Sequence, residues 1–296
     1  MKTSKILLLT ATLLLTTSIT KAQGIIDGYF KNQGDGTVAL SYTISNYTSF
    51  YVGENEAPAS PIGHASQDIY NLYANYGITD NLLAVVNLPY ISATSENPDP
   101  ITGEDSVSDF QDLVIALKWR PFKSDLSGGF INYFVSAGAA FPLGYEPNGI
   151  LSIGNGATSI DGKLGVHFQS NSGFFTTITG GYSFRTEADN NLMPNFDGDY
   201  DVPNAVLFGG KIGWATEKVY LEGWIDHQTS TAGVDIMGPG FMGNFPETKV
   251  NYTMLGANSY FSFFKHFGIN AGFGTIVDGR NIGESSFFTT ALVYNY

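Results

Sequence analysis

Apolar and polar side chains alternate with a period of two along most of this chain. In YGITDNLLAVVNLPY, Tyr76 to Tyr90, the pair Asp80-Asn81 turns the backbone. Behind the turn, Leu82, Ala84, Val86, Leu88 and Tyr90 share one face, and Leu83, Val85, Asn87 and Pro89 share the other. The same alternation recurs in Asp68 to Tyr76, where Tyr70, Leu72, Ala74 and Tyr76 oppose Ile69, Asn71, Tyr73 and Asn75. In Gln111 to Pro121, Leu113, Ile115, Leu117 and Trp119 oppose Asp112, Val114, Ala116, Lys118 and Arg120. In Ser159 to Gln169, Ile160, Leu164, Val166 and Phe168 oppose Asp161, Lys163, His167 and Gln169.

The pattern predicts twelve strands, near residues 36–46, 66–77, 81–94, 108–121, 129–143, 156–169, 173–186, 203–215, 218–229, 247–263, 266–278 and 284–296. At about 10–14 residues each they exceed the roughly 5–6 of an ordinary globular strand. Short links alternate with long ones. Gly77 to Asn81, Ser170 to Gly173, Thr216-Glu217 and Lys265-His266 are short, whereas 46–66, 94–108, 143–156, 186–203 and 229–247 are long. An even number of long strands with that alternation predicts an all-β fold, a transmembrane antiparallel up-and-down β-barrel of about 12 strands. Aromatics at strand ends (Tyr70 with Tyr76, Trp119, Tyr133 with Phe141, Trp214) suit the interfacial girdles of such a barrel. A secreted sandwich or solenoid is the competing reading. Strand length and the lack of a 20–50-residue repeat count against it.

Composition supports the barrel. Charged residues make up 14% of the 296, against about 25% in a soluble domain. Aromatics also reach 14%, and there are 35 Gly. Residues 1–22 read as a secretory signal, with Lys2 and Lys5, the apolar run Ile6 to Leu15, and a cleavage site at Thr20-Lys21-Ala22. Residues 23–35 are then a short N-terminal periplasmic segment, and 36–296 the outer-membrane barrel. Without Lys2, Lys5 and Lys21 the remaining chain carries 11 basic and 27 acidic side chains, a net of −16. That argues against nucleic-acid binding by a basic surface. The absence of cysteine excludes disulfides, thiolate metal sites and a lipidated cysteine anchor.

The end of the sequence fits as well. Thr289 to Tyr296 alternates to a terminal aromatic, with Tyr294 and Tyr296 on one face. The last strand of outer-membrane barrels resembles this closely and is read by the barrel-assembly machinery, although Ala291 stands where that pattern usually has Gly. YGITDNLLAVVNLPY followed by SVSDFQDLVIALKWRPF resembles the outer-membrane proteins of the MetA-pathway of phenol degradation family. The features carrying the likeness are the Tyr76 to Asp80 turn, Pro89-Tyr90, and Lys118-Trp119-Arg120, with Phe141-Pro142-Leu143-Gly144 and Gly181-Tyr182-Ser183-Phe184-Arg185 further on. The resemblance implies a transporter barrel, with aromatic compounds as cargo only through the family name. It transfers no binding residues.

If the apolar faces meet lipid, the opposite faces line the lumen: Asn71, Asn75, Asp112, Lys118, Arg120, Asp161, Lys163, His167, Arg185, Lys211, Glu222, Asp226, Lys249 and Asn251. A two-residue turn at Thr216-Glu217 would set Lys211 directly opposite Glu222, as a charged constriction or as an ion pair satisfying buried charge. Among the long loops, 229–247 is apolar. Its Ile236, Met237, Phe241, Met242 and Phe245 form either a docking patch for a hydrophobic solute or a plug packed in the barrel mouth. The other loops are acidic, with Glu96, Asp99, Glu104 and Asp105 in one and Glu187, Asp189, Asp197, Asp199 and Asp201 in another. These read as solvated loops that share divalent cations with lipopolysaccharide. Asn195 to Asp201 has alternating oxygens suited to calcium but lacks the later bidentate Glu of an EF-hand loop.

No G-x-S-x-G, H-E-x-x-H or Walker A motif is present. His227 near Ser230 is the one faint catalytic candidate. The sequence therefore predicts no enzyme, no catalytic residues, no metal and no cofactor. It predicts an outer-membrane channel that passes small hydrophobic or aromatic solutes passively. A closed-lumen structural or surface-interaction barrel is the alternative, and a barrel enzyme a more distant one.

Overall fold

The computed structural model describes residues 27–57, 60–147, 149–190 and 198–296. The predicted signal and the Asn195–Asp197 part of the candidate calcium loop lie outside the described residues. Fifteen strands occur: β1 (Gly36–Tyr47), β2 (Phe50–Val52), β3 (Asn55–Ala57), β4 (Ala65–Thr79), β5 (Leu82–Ser95), β6 (Ser106–Phe110), β7 (Asp112–Leu126), β8 (Gly129–Pro142), β9 (Ser159–Ser170), β10 (Phe174–Arg185), β11 (Ala205–Ala215), β12 (Val219–Ser230), β13 (Asn251–Ser262), β14 (Phe267–Arg280) and β15 (Ser286–Asn295). All except β2 and β3 join one antiparallel sheet, in which β6 is a short side strand on β5 and the other twelve close on themselves as a barrel. The one helical turn among the described residues is a 3-10 turn at Phe245–Glu247.

Closure runs through β1, which pairs with β4 on one side and with β15 on the other, from Thr37 opposite Asn295 to Asn46 opposite Ser286. Tyr296 N–H donates to the Gly36 carbonyl, and Gly36 N–H to the Tyr296 carbonyl, each at 3.1 Å. Both chain ends of the barrel therefore lie beside the short turns, the periplasmic end in this architecture.

Side-chain burial is inverted relative to a soluble protein. The exposed apolar residues of the strands include Leu40, Leu72, Val86, Ile115, Leu117, Leu164, Val166, Ile178, Ile212, Ile269 and Leu292, all on the outer face. Buried positions include Asn71, Asn87, Asp112, Lys118, Asn132, His167 and Glu222, all on the inner face. In β5, Leu83, Val85, Asn87 and Pro89 are buried while Val86 between them is exposed. Aromatics mark both rims. Tyr42, Tyr70 and Tyr90 are in register toward the long-loop end, and Tyr76, Trp119, Trp214, Phe267 and Tyr294 lie toward the short-turn end.

Two boundaries differ from the sequence reading for identifiable reasons. The tenth strand, expected from residue 247, starts at Asn251 because Pro246 stands in the 3-10 turn. The fourth, expected over 108–121, is split: β6 pairs only with the outer end of β5, and β7 then runs on to Leu126. It passes Pro121 through a break in register between Trp119 and Phe122, where the missing proline N–H cannot join the ladder.

Candidate solute path through the barrel

Below the mid-plane, the lumen holds the start of the described chain. Gln33–Asp35 sit at the short-turn rim, where Gln33 N–H donates to Asp80 Oδ1 at 2.8 Å and Gly34 N–H to the Gly77 carbonyl at 2.9 Å. From there residues 27–30 reach inward, a difference from the purely periplasmic placement expected for 23–35. The cause is Lys118, whose ammonium is only 1% exposed. A buried cation requires partners. It pairs with Asp27 Oδ1 at 2.9 Å and donates to the Asp27 carbonyl at 3.0 Å and to the Tyr29 carbonyl. The ammonium also lies 4.4 Å from the Phe30 ring centroid. Tyr29 sits edge-on against His167 at 4.5 Å and against Phe175 and Tyr220. Gly28 passes so close to His167 that an added Cβ would lie 2.3 Å from the His167 Cβ. Asn132 Nδ2 donates to the Gly28 carbonyl at 3.2 Å.

Three sequence-predicted lumen residues, Lys118, His167 and Arg120, contact this segment. Arg120 caps the β4–β5 turn through Asn81 Oδ1 at 2.9 Å and the Asp80 carbonyl at 2.7 Å, with its guanidinium over Phe30. Lys211 and Glu222 do pair, at 3.5 Å, but diagonally: Glu222 stands opposite Gly213, and Lys211 opposite Trp224. The expected two-residue turn is longer, with Ala215 paired to Tyr220, which moves the register by two and keeps both side chains on the inner face. Glu222 also accepts from Asn258 Nδ2 at 2.7 Å and from the Tyr220 hydroxyl.

A cavity of about 580 Å³ lies alongside this segment, lined by Asp27, Tyr29, Asn71, Asn75, Lys211 and Asn258 among others. Above it, sharing Asn87, is a mid-lumen space of about 170 Å³. Asp112, Asp161, Lys163, Arg185 and Asp226 face it, so it gathers half of the predicted lumen charges. A third cavity, about 330 Å³, forms a vestibule under the long loops and shares Gln111, Asn155, Arg185, Gln228 and Tyr252 with the second.

Two long loops shape that vestibule. In 229–247, Phe245 and Pro246 face the cavity, and Ile236 is buried with its N–H on Asn281 Oδ1 at 3.0 Å. Phe241 packs edge-on against Phe245 at 5.2 Å, while Met237 and Met242 point outward, 84% and 61% exposed. The loop is tethered where Asp235 takes two hydrogen bonds from Arg280, both 2.7 Å, and one from Asn281 Nδ2 at 2.9 Å. Those bonds from Arg280 and then Asn281 hold the Asp235 carboxyl down at about 2. The second loop, 143–158, was not singled out in the sequence. Its Tyr145, Leu151 and Ile153 pack on Ile62, Ala65, Ile69, Ile91 and Ala93 at the inner wall. Tyr145 donates to Asp112 Oδ1 at 2.6 Å, and burial pushes its phenol upward. The apolar Ile150, Leu151 and Ile153 within an otherwise loop-like stretch were the available signal.

Asp99 corrects the reading of its loop as solvated. It is 1% exposed and accepts from the N–H groups of Ile101, Ile150 and Leu151, clasping the 143–158 loop. His227 bonds Thr253 and Thr229 at 2.9 and 2.8 Å, and Ser230 Oγ bonds the Val250 carbonyl, so the two form no nucleophile–base pair. Among the described residues no group of three or more His, Cys, Asp or Glu is placed to hold a metal ion.

A closed 12-strand barrel with an apolar outer band and a cavity-bearing polar lumen defines a β-barrel protein of the bacterial outer membrane, in contact with membrane lipid. The chain belongs to the family described as "Putative MetA-pathway of phenol degradation", whose model matches residues 63–291. No curated protein matches the sequence. The fold is similar to the COG4313 outer membrane channel from Pseudomonas putida F1, with a TM-score of 0.71 at 12% identity, covering 91% of this chain and 98% of that one. A Pseudomonas aeruginosa FadL homologue (TM-score 0.38, 11% identity, 89% and 90% coverage) is far more distant. So is the translocator domain of the autotransporter NalP from Neisseria meningitidis (0.43, 9%, 90% and 89%).

The cysteine-free sequence makes labelling clean. A Tyr29→Cys reporter should react slowly with a maleimide in an otherwise intact barrel. Adding Lys118→Met should speed labelling by at least about tenfold, equivalent to about 1.4 kcal/mol of lost docking. Equal rates would show that Lys118 does not hold the segment. The Asp235 tether should depend on pH in one direction. Its carboxyl titrates at about 2, below the ordinary 3.8, so its stabilising contribution is full above roughly pH 4 and is lost as pH falls through 2. A fluorophore on Met237→Cys should stay immobile from pH 7 to 4 and loosen only nearer pH 2. Loosening already at pH 5 would contradict the tether.

Proposed function

We propose that this protein is a passive outer-membrane channel for small hydrophobic or aromatic solutes. The observation that carries the reading is the succession of three cavities that share lining residues from the mouth to the periplasmic end. A solute entering under the 229–247 and 143–158 loops meets an apolar vestibule, then a charged mid-lumen, then the space beside residues 27–30. Loop 229–247, with Ile236, Met237, Phe241, Met242 and Phe245, serves as the gate of the mouth. The residues Asp112, Asp161, Lys163, Arg185, Lys211, Glu222 and Asp226 line the path, with Lys211 and Glu222 paired on it. The family description and the channel from Pseudomonas putida support transport, and the phenol-degradation name supports an aromatic cargo. At its surface the barrel meets lipopolysaccharide through its acidic loops. Its strand ending in Tyr294 and Tyr296 is the segment offered to the barrel-assembly machinery.

A structural barrel with a closed lumen is the second reading, favoured by how fully residues 27–30 are held by the wall. Planar bilayers separate the two. The channel reading expects discrete, small conductance steps from the full chain, enlarged when residues 236–245 are deleted. A silent bilayer with verified insertion would favour the closed barrel, and an unchanged trace after the deletion would remove the loop as gate.

A further inference from the structure

The vestibule has an unusual charge pattern for so acidic a chain. Among the described residues no aspartate or glutamate lines it, and Arg185 is the one charged side chain in its lining. The surrounding wall is largely apolar, with Ile91, Ile153, Val202, Phe245, Met254 and Ile276. Arg185 closes the outer end of β10 and faces both the vestibule and the mid-lumen space below. Its guanidinium donates to two neutral acceptors, the Pro203 carbonyl at 3.0 Å and Gln228 Oε1 at 2.8 Å. It takes part in none of the ion pairs found among the described residues. Asp112 and Asp161 line the mid-lumen space and not the vestibule.

A guanidinium with neutral partners, half-buried at the floor of an apolar cavity, has unmet capacity for an anion. Carboxylate is the anion its planar fork matches best. Attraction there is strengthened by the poorly solvating wall, while the body of the ligand gains by leaving water. The volume, about 330 Å³, falls in the range of small-molecule pockets. We propose that the vestibule is a binding site for amphiphilic monocarboxylates: an aromatic or short aliphatic body against the apolar wall, and the carboxylate on Arg185. The acids below then act as a charge barrier, so the anion is held at the mouth before it moves on. This proposal deepens the channel reading by naming a solute class. The site itself requires no open pore.

The test is isothermal titration of the full-length barrel, folded in detergent micelles, with three probes. Benzoate offers ring and carboxylate, benzyl alcohol the ring alone, and acetate the carboxylate alone. Benzoate should bind at least about tenfold more tightly than either of the others. Arg185→Gln should bring benzoate down to the level of benzyl alcohol and leave benzyl alcohol unchanged. Folding of the variant is checked by its faster gel migration before boiling. Should it fail to fold, the comparison of probes on the unaltered protein decides. Benzyl alcohol or acetate binding as tightly as benzoate, no benzoate binding, or a benzoate preference that survives Arg185→Gln would each overturn the proposal. A bilayer without conductance would bear on the channel and not on this site.

Discussion

In a hydrocarbon layer no water is available to the backbone, so every N–H and C=O of a spanning sheet must find a partner within the sheet. The closure of β1 onto β15 meets that demand. Open, the two strands would present rows of unpaired groups to lipid at several kcal/mol each. Closed, they fix twelve strands, both chain ends at one rim, and the assignment of one face of each strand to lipid. The remaining features follow from what the enclosed space must then accommodate.

Inside the ring, the problem passes from the backbone to the side chains. Twelve strands enclose too little room for a wide aqueous pore, and charged residues on the inner face must be compensated locally. Lys118 finds its partner in Asp27, from outside the barrel wall; Lys211 finds Glu222 diagonally across a hairpin; Asp99 and Asp112 are taken up by the 143–158 loop. Each pairing narrows the passage while leaving a space beside it. The lumen is therefore a chain of small cavities that share lining residues. Arg185 is one lumen group that this compensation leaves with neutral hydrogen-bond partners.

The wall was readable in the sequence because a barrel imposes period two on every strand. Leu82 to Tyr90 alternates outside and inside as its pattern predicts, and the count of twelve strands needs only that pattern and the turns. The contents of the lumen were less readable, since they come from segments without periodicity. Gly28-Tyr29-Phe30 is an aromatic tripeptide ahead of the first strand, and nothing in its spacing says that Lys118, some ninety residues on, draws it inward. Asp99 sits among acids that do face solvent, so only its contacts reveal it as a clasp. Lys211 and Glu222 could be placed on one face, but not in register, because two further residues after Glu217 join the turn and shift the pairing by two.

The most direct test is a spin-label scan of single cysteines from Leu82 to Tyr90. It reports lipid face, packed lumen and cavity in one strand. Oxygen, which concentrates in lipid, should relax labels at Ala84, Val86 and Leu88 and spare those between. A water-soluble nickel chelate should reach Asn87, which faces two of the cavities, but not Leu83 or Val85, which pack with Phe30 and Phe134. Oxygen accessibility without a period of two would contradict the barrel. Free access of the chelate to Leu83 and Val85 would contradict a lumen filled by its own N-terminal segment.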